Sequence, residues 1–187
     1  LIKRYNPIAE YFEKLTGWDG EDHIRKLAGF VRTNDSEAFR YHLEKWLTRA
    51  VLCALKKDYV NKQCLVLASS KQNTGKTTFL RFLIPDGLRG YYSENVTVDK
   101  DGIIAICKNF ILNADELAVL SKSDVNTLKS FISMGGAKVR VPYGRKPENM
   151  DRICSFVAST NRTDFLTDET GSVRWLVFEV FSIDFAY

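Results

Sequence analysis

Residues 70–77 read SKQNTGKT and lie directly between the apolar run QCLVLASS and the segment KTTFLRFLIP. This octapeptide constrains the fold more than any other stretch. An anion-binding loop needs glycine so that backbone N–H groups can turn inward, a lysine to reach outer phosphates, and a hydroxyl for Mg²⁺; Gly75, Lys76 and Thr77 supply the three. Ser70, Asn73, Thr74 and Thr78 complete the expected loop. The formal G-x-x-x-x-G-K-[ST] pattern is broken once, by Ser70 at its first glycine. The flanking strand and helix are the context the motif demands.

The chain before this loop reads as helices. Asn6 can cap a helix that starts at Pro7 and runs through PIAEYFEKLT to Gly17. EDHIRKLAGFVR is a second short helix after the Asp19-Gly20 turn. From Asp35 or Ser36 to about Lys57 a longer helix is expected, because Phe39, Leu43, Trp46, Leu47, Ala50, Val51, Ala54 and Leu55 recur at the helical period. Beyond Asp58 the pattern changes. QCLVLASS, NFILNADEL, ICSFVAST and RWLVFEVF read as buried strands, and KTTFLRFLIP, DGIIAICKN and SDVNTLKSFISM as helices, the last capped by Ser123. Residues from about Leu88 to Asp101 read as an irregular connection. AKVRV alternates like a strand and PYGRK is turn chemistry. Alternating helices and apolar strands predict an α/β fold, a mostly parallel sheet covered on both faces. We expect a helical N-terminal subdomain over 1–60 and a core over 61–187.

Phosphate chemistry needs a second, acidic strand. FILNADE brings Asp115 and Glu116 to the end of one, 39 positions after Lys76. Two acids there would also suit the dipole of the following helix, but the upstream loop favours Asp115 in the metal shell and Glu116 polarising water as general base. The strand CSFVAST ends in Asn161, whose amide can both donate and accept and so bridge a γ-phosphate and a water. Arg174 precedes the strand WLVFEV. No purpose within the chain is evident for it, and a guanidinium acting across a subunit boundary would stabilise transition-state charge.

Composition adds exclusions. With 45% hydrophobic and 27% charged residues and a net charge of +4, the chain matches globular proteins rather than a disordered tail. No apolar run approaches the roughly 18 residues of a membrane span, and LIKRYNPIAEYF has no signal-peptide core, so a cytoplasmic protein with no membrane partner is expected. Cys53, Cys64, Cys107 and Cys154 fit no metal spacing and lie in apolar stretches, as small buried hydrophobes do.

These elements, in this order and spacing, resemble the AAA+ ATPases of superfamily 3 helicase type. More narrowly, the chain resembles the virulence-associated protein E family of bacterial and phage mobile elements. The resemblance rests on NPIAEYFEKLTGWDG, QNTGKTTFLRFL, ILNADEL and VPYGRKPENMDRICSFVASTNRTDFLTDETGSVRWLVFEV; Asn161, Asp168, Glu169, Thr170, Gly171 and Arg174 sit on its sensor-strand and D-E-T-G-x-x-R pattern. It implies a P-loop NTPase sandwich, ATP and Mg²⁺ as cofactors, a homo-oligomeric ring such as a hexamer, and a chain that is a fragment of a longer protein. It also implies a hairpin before the sensor strand that grips single-stranded DNA. AKVRVPYGRK fits that hairpin, with Lys138, Arg140, Arg145 and Lys146 for phosphates and Tyr143 for a base. Counting Arg152, five basic residues face two acids between 138 and 152, an excess of three in one short segment. The expected function is ATP hydrolysis driving a helicase-type motor in replication of a mobile element. The alternatives are a nucleotide-gated DNA-binding or assembly module without translocation, and a small-molecule kinase.

Overall fold

The structure, a computed structural model, describes residues 5–94, 96–97, 99–117, 121–140, 146–162 and 174–187. Helix α1 (Pro7–Glu13) starts as expected, with the Asn6 side chain accepting from the N–H groups of Ile8 and Ala9. Helix α2 (His23–Gly29) is capped by Asp22 and ends sooner than its sequence reads. The residues that follow form strand β1 (Val31–Thr33) instead. This is a correction: Val31 has a sheet edge to pair with, and the β-branched VRT run leaves the helix for it. Helix α3 (Ser36–Leu55) is capped by Asp35, whose carboxylate accepts from Ala38 N–H. Most of its stripe is buried: Phe39, Leu43, Trp46 and Ala50 are fully inaccessible and Ala54 is buried, Leu47 and Val51 are half-buried, and Leu55 at the end of the helix is exposed.

Strand β2 (Cys64–Ala68) leads through the loop into helix α4 (Lys76–Phe82). The segment expected to be irregular carries a 3₁₀ turn over Asp86–Tyr91 and a two-residue strand, β3 (Tyr92–Ser93). Helix α5 (Lys100–Ile106) and strand β4 (Ile111–Ala114) follow. Helix α6 (Lys122–Ser133) is capped by Ser121 rather than Ser123. Only from Ser121 can a reciprocal capping box form, the Ser121 hydroxyl accepting from Asp124 N–H while the Asp124 carboxylate accepts from Ser121 N–H. Strands β5 (Gly136–Val139) and β6 (Glu148–Asp151) make an antiparallel hairpin, and β7 (Ser155–Thr160) and β8 (Trp175–Ile183) finish the chain.

The main sheet has six strands in the order β1-β8-β2-β7-β4-β3. All neighbours run parallel except β1, which lies antiparallel on β8. Because β2 alternates, Leu65 and Leu67 face one core and Cys64 and Val66 the other. Side chains from α1, α2, α3 and α4 fill the first core, so residues in 1–60 share one apolar cluster with the sheet; α5 and α6 cover the second. The fold is thus mixed α/β with a mostly parallel sheet covered on both faces. Among the described residues no helix is long and apolar enough to cross a membrane. All four cysteines are buried free thiols, and burial raises the pKa of Cys64, of Cys107 to about 11 and of Cys154 to about 12, so they behave as the small hydrophobes expected.

The second core hides an arginine. Arg152 is 2% exposed, and its guanidinium donates to the carbonyls of Cys154 (2.9 Å), Phe131 (3.0 Å), Ile132 (2.5 Å), Met134 (3.4 Å) and Asn61 (2.8 Å) while lying 5.0 Å from the Phe156 ring. Three of those carbonyls belong to the C-terminal turn of α6, where helical partners run out. Arg152 therefore leaves the basic surface to which the sequence assigned it.

Candidate nucleotide site

Parallel strands bring their C-terminal ends to one edge of the sheet, and a cleft of about 500 Å³ opens there. It is lined by residues 72–78, Asp115, Glu116, Ser159, Asn161 and Phe185. The order of β2, β7 and β4 explains the grouping. β2 delivers the loop, β7 beside it ends just before Asn161, and β4 next in line ends just before Asp115.

Lys76 is buried to 7% exposure. Its ammonium donates to Asn161 Oδ1 at 3.1 Å, to Thr74 Oγ1 at 3.2 Å and to the Lys71 carbonyl at 3.5 Å. Burial pulls its pKa below the ordinary lysine range, and the Asp115 carboxylate opposes that shift. Thr77 donates its hydroxyl to Asp115 Oδ1 at 2.9 Å, and Ser159 donates to the same oxygen. The loop itself is shaped by two left-handed residues, Gly75 (φ +84°) and Asn73 (φ +55°). Ser70 is exposed and does not have a positive φ, so the missing first glycine costs this backbone no strain. Thr78 is exposed at the third position of α4. Glu116 also holds a left-handed φ of +50°, a conformation that non-glycine residues keep chiefly where surrounding structure enforces it.

The donor set fits a magnesium nucleotide rather than a metal held by protein alone. Thr77 Oγ1 and the Asp115 carboxylate are hard oxygens within one hydrogen bond of each other, and Asp115 Oδ2 makes no hydrogen bond with a described residue. Among the described residues no cluster of three His, Cys, Asp or Glu side chains could hold a cation. Mg²⁺ accepts such a site when phosphates and waters complete its shell.

Arg174 stands elsewhere. Its carbonyl accepts from Cys64 N–H at the start of β2, so it sits at the sheet edge opposite the cleft. Five strand residues at about 3.3 Å each put roughly 16 Å between those edges. Contrary to the sequence reading it has a partner in its own chain, donating from Nε to Ser133 Oγ at 3.0 Å. Of the expected hairpin, both arms are present: Lys138 and Lys146 are exposed, as is Arg140, and Lys138 pairs with Asn149. A Cβ at Gly136 would come within 2.6 Å of the Met150 carbonyl, so the hairpin root closes only on glycine. Tyr143, Arg145, Asp168, Glu169, Thr170 and Gly171 lie outside the described residues.

Outside the loop, two cleft residues escaped the sequence reading. Ser159 is a polar interruption in the apolar run FVAST, a signal that was present. Phe185 follows β8, and nothing in its local sequence sets it apart.

Solved structures share the fold. Two apo structures of the NrS-1 C-terminal region superpose with TM-scores of 0.59 and 0.63 at 19% and 16% identity, over 91% and 97% of this chain and 40% and 42% of theirs. The chain thus spans about two fifths of those solved chains. An X-ray structure of JCV helicase matches at a TM-score of 0.45 and 15% identity, over 92% of this chain and 49% of that one. No curated protein sequence matches. The virulence-associated protein E-like domain family matches residues 12–186, nearly the whole sequence. The chain belongs to the virulence-associated protein E-like domain family.

Proposed function

We propose that the chain is the P-loop, AAA+ type ATPase core of a superfamily 3 helicase-like protein, hydrolysing ATP with Mg²⁺ to drive a motor on single-stranded DNA during replication of a mobile element. The observation that carries this is the pairing of Thr77 with Asp115 beside the pairing of Lys76 with Asn161 in one cleft. The insertion of β7 between the loop strand and the acidic strand supports it, because the amide of Asn161 then lies between lysine and carboxylates.

Bound Mg²⁺ would neutralise charge on the outer phosphates, held by Thr77 and Asp115. Lys76 exchanges its bond to Asn161 for phosphate oxygens, a stronger charge-assisted partner. The freed Asn161 amide donates to the γ-phosphate and accepts from the attacking water. Glu116, exposed at the cleft, takes that water's proton. Arg174, roughly 16 Å of sheet away from its own cleft, would serve the site of a neighbouring subunit in a homo-oligomeric ring. Lys138, Arg140, Arg145 and Lys146, with Tyr143, would meet the DNA strand through phosphate attraction and stacking.

The test is ATPase rate against protein concentration, with and without single-stranded DNA. A ring motor shows a rate per subunit that rises with concentration and with DNA, and falls with Arg174→Ala. A rate per subunit that is constant on dilution and indifferent to Arg174→Ala contradicts the trans arrangement. Retention of ATP-dependent assembly in Glu116→Gln without strand separation by the wild type favours the nucleotide-gated module.

A further inference from the structure

Phe185 is the one aromatic side chain among the described residues lining the cleft, whose walls are otherwise polar. It is 55% exposed. Its ring lies so close to the loop that a Cβ added to Gly75 would come within 2.2 Å of Phe185 Cζ. The ring is held there by a neighbour with its own anchors. Tyr187 lies 6.1 Å from Phe185 and packs on Phe82 at 4.4 Å and on Phe79 and Phe30 at 5.8 Å each, which ties the segment after β8 to α4. This leaves a positioned aromatic face, more than half accessible, at the mouth of a phosphate-type site.

Strand order says which end of a ligand it meets. In β8-β2-β7-β4 the loop strand β2 has Phe185 on one side, after β8, and Asn161 and Asp115 on the other, after β7 and β4. Lys76 Nζ points to the Asn161 side. A nucleotide whose terminal phosphate lies with Lys76, Asn161 and Asp115 must therefore extend its base back across the loop toward β8. There the only π-face available among the described lining residues is Phe185.

We propose that Phe185 is the stacking platform for the nucleotide base, and that it makes the cleft selective for purine over pyrimidine nucleoside triphosphates through the larger purine face. This rests on the nucleotide reading above, and the ligands below separate the two. Base-on-aromatic stacking is sequence-tolerant, so Phe185 does not by itself distinguish adenine from guanine.

Equilibrium titrations of the chain with MgATP, MgCTP and magnesium tripolyphosphate test it. The wild type should bind ATP more tightly than CTP, and both more tightly than tripolyphosphate. Phe185→Ala should weaken ATP about tenfold, the lower end of what one lost stack costs, narrow the gap between ATP and CTP, and leave tripolyphosphate unchanged. Phe185→Trp should restore affinity, with its fluorescence quenched by ATP and not by tripolyphosphate. ATP affinity in Phe185→Ala equal to the wild type overturns the proposal, and tighter binding overturns it in favour of a ring that plugs the cleft. A uniform loss for all three ligands also overturns it, since that marks a loop-shaping role. A wild-type chain that binds neither ATP nor tripolyphosphate overturns the nucleotide reading itself.

Discussion

Replacing Arg152 by methionine removes the guanidinium while keeping an unbranched stem in the same space. Four carbonyl oxygens at 2.5–3.0 Å and a fifth at 3.4 Å lose their donor. Charge-assisted hydrogen bonds contribute about 1.5–3 kcal/mol each, so a simple sum would give roughly 6–12 kcal/mol for the four short ones. That sum is too large, because the folded protein also carries the desolvation of a charge held at 2% exposure, several kcal/mol that the variant recovers. The net expected loss is about 3–5 kcal/mol, the range found when one side of a buried charged network is deleted. With a urea dependence of about 2 kcal/mol per molar, the unfolding midpoint should fall by about 1.5–2.5 M. Arg152→Lys should recover less than half of this, since one ammonium cannot span carbonyls on α6, before β2 and at the head of β7. Urea unfolding followed by fluorescence measures it. A midpoint shift below 0.5 M, an effect of about 1 kcal/mol, would refute the assignment of Arg152 as the clamp joining α6, the hairpin root and β2.

Thr77→Ala and Asp115→Asn should each reduce Mg²⁺-dependent ATP hydrolysis by about 10²-fold or more, and raise the Mg²⁺ needed for half-maximal rate; equal Mg²⁺ requirements would contradict their role. Asn161→Ala should lower kcat by about 10²–10³-fold with a smaller change in KM, read from steady-state kinetics. Lys76 titrates below an ordinary lysine because burial disfavours its charge. Between that lowered value and about 10.4 the unfolded chain binds the extra proton, so stability rises with pH through this window, while ATP affinity falls as the ammonium is lost. Titrations of ATP binding from neutral to alkaline pH check this, and Lys76→Arg should shift the fall upward. Asp35→Ala should cost about 1 kcal/mol by removing the cap of α3, seen as a lower melting temperature.

Much of the fold was legible because the strongest periodic signals coincide with burial. Most of the α3 stripe and the strands β2, β4 and β7 bury the residues that carry their pattern, while Leu55 and Phe181 stay exposed, and Asn6 and Asp35 cap where capping chemistry predicts. Three features were not local enough to read. VRT becomes a strand only because β8 offers it an edge, and Tyr92–Ser93 only because β4 does. The choice of Ser121 over Ser123, two positions on, depends on Asp124 reaching back to the first of them. The site was legible in its motifs, Lys76, Thr77, Asp115 and Asn161, since each type has a chemistry. Arg152 misled because sequence charge does not reveal burial, and only the fold brings five carbonyls around it. Arg174 gained its Ser133 partner from 41 positions away, a distance no local pattern spans.

Calorimetric titration of MgATP into the chain and into its Lys76→Ala and Glu116→Gln variants tests the central claim most directly. The account predicts one site per chain in the wild type, loss of binding in Lys76→Ala, and retained binding without turnover in Glu116→Gln. Absence of binding in the wild type, or binding that Lys76→Ala leaves unchanged, would contradict it.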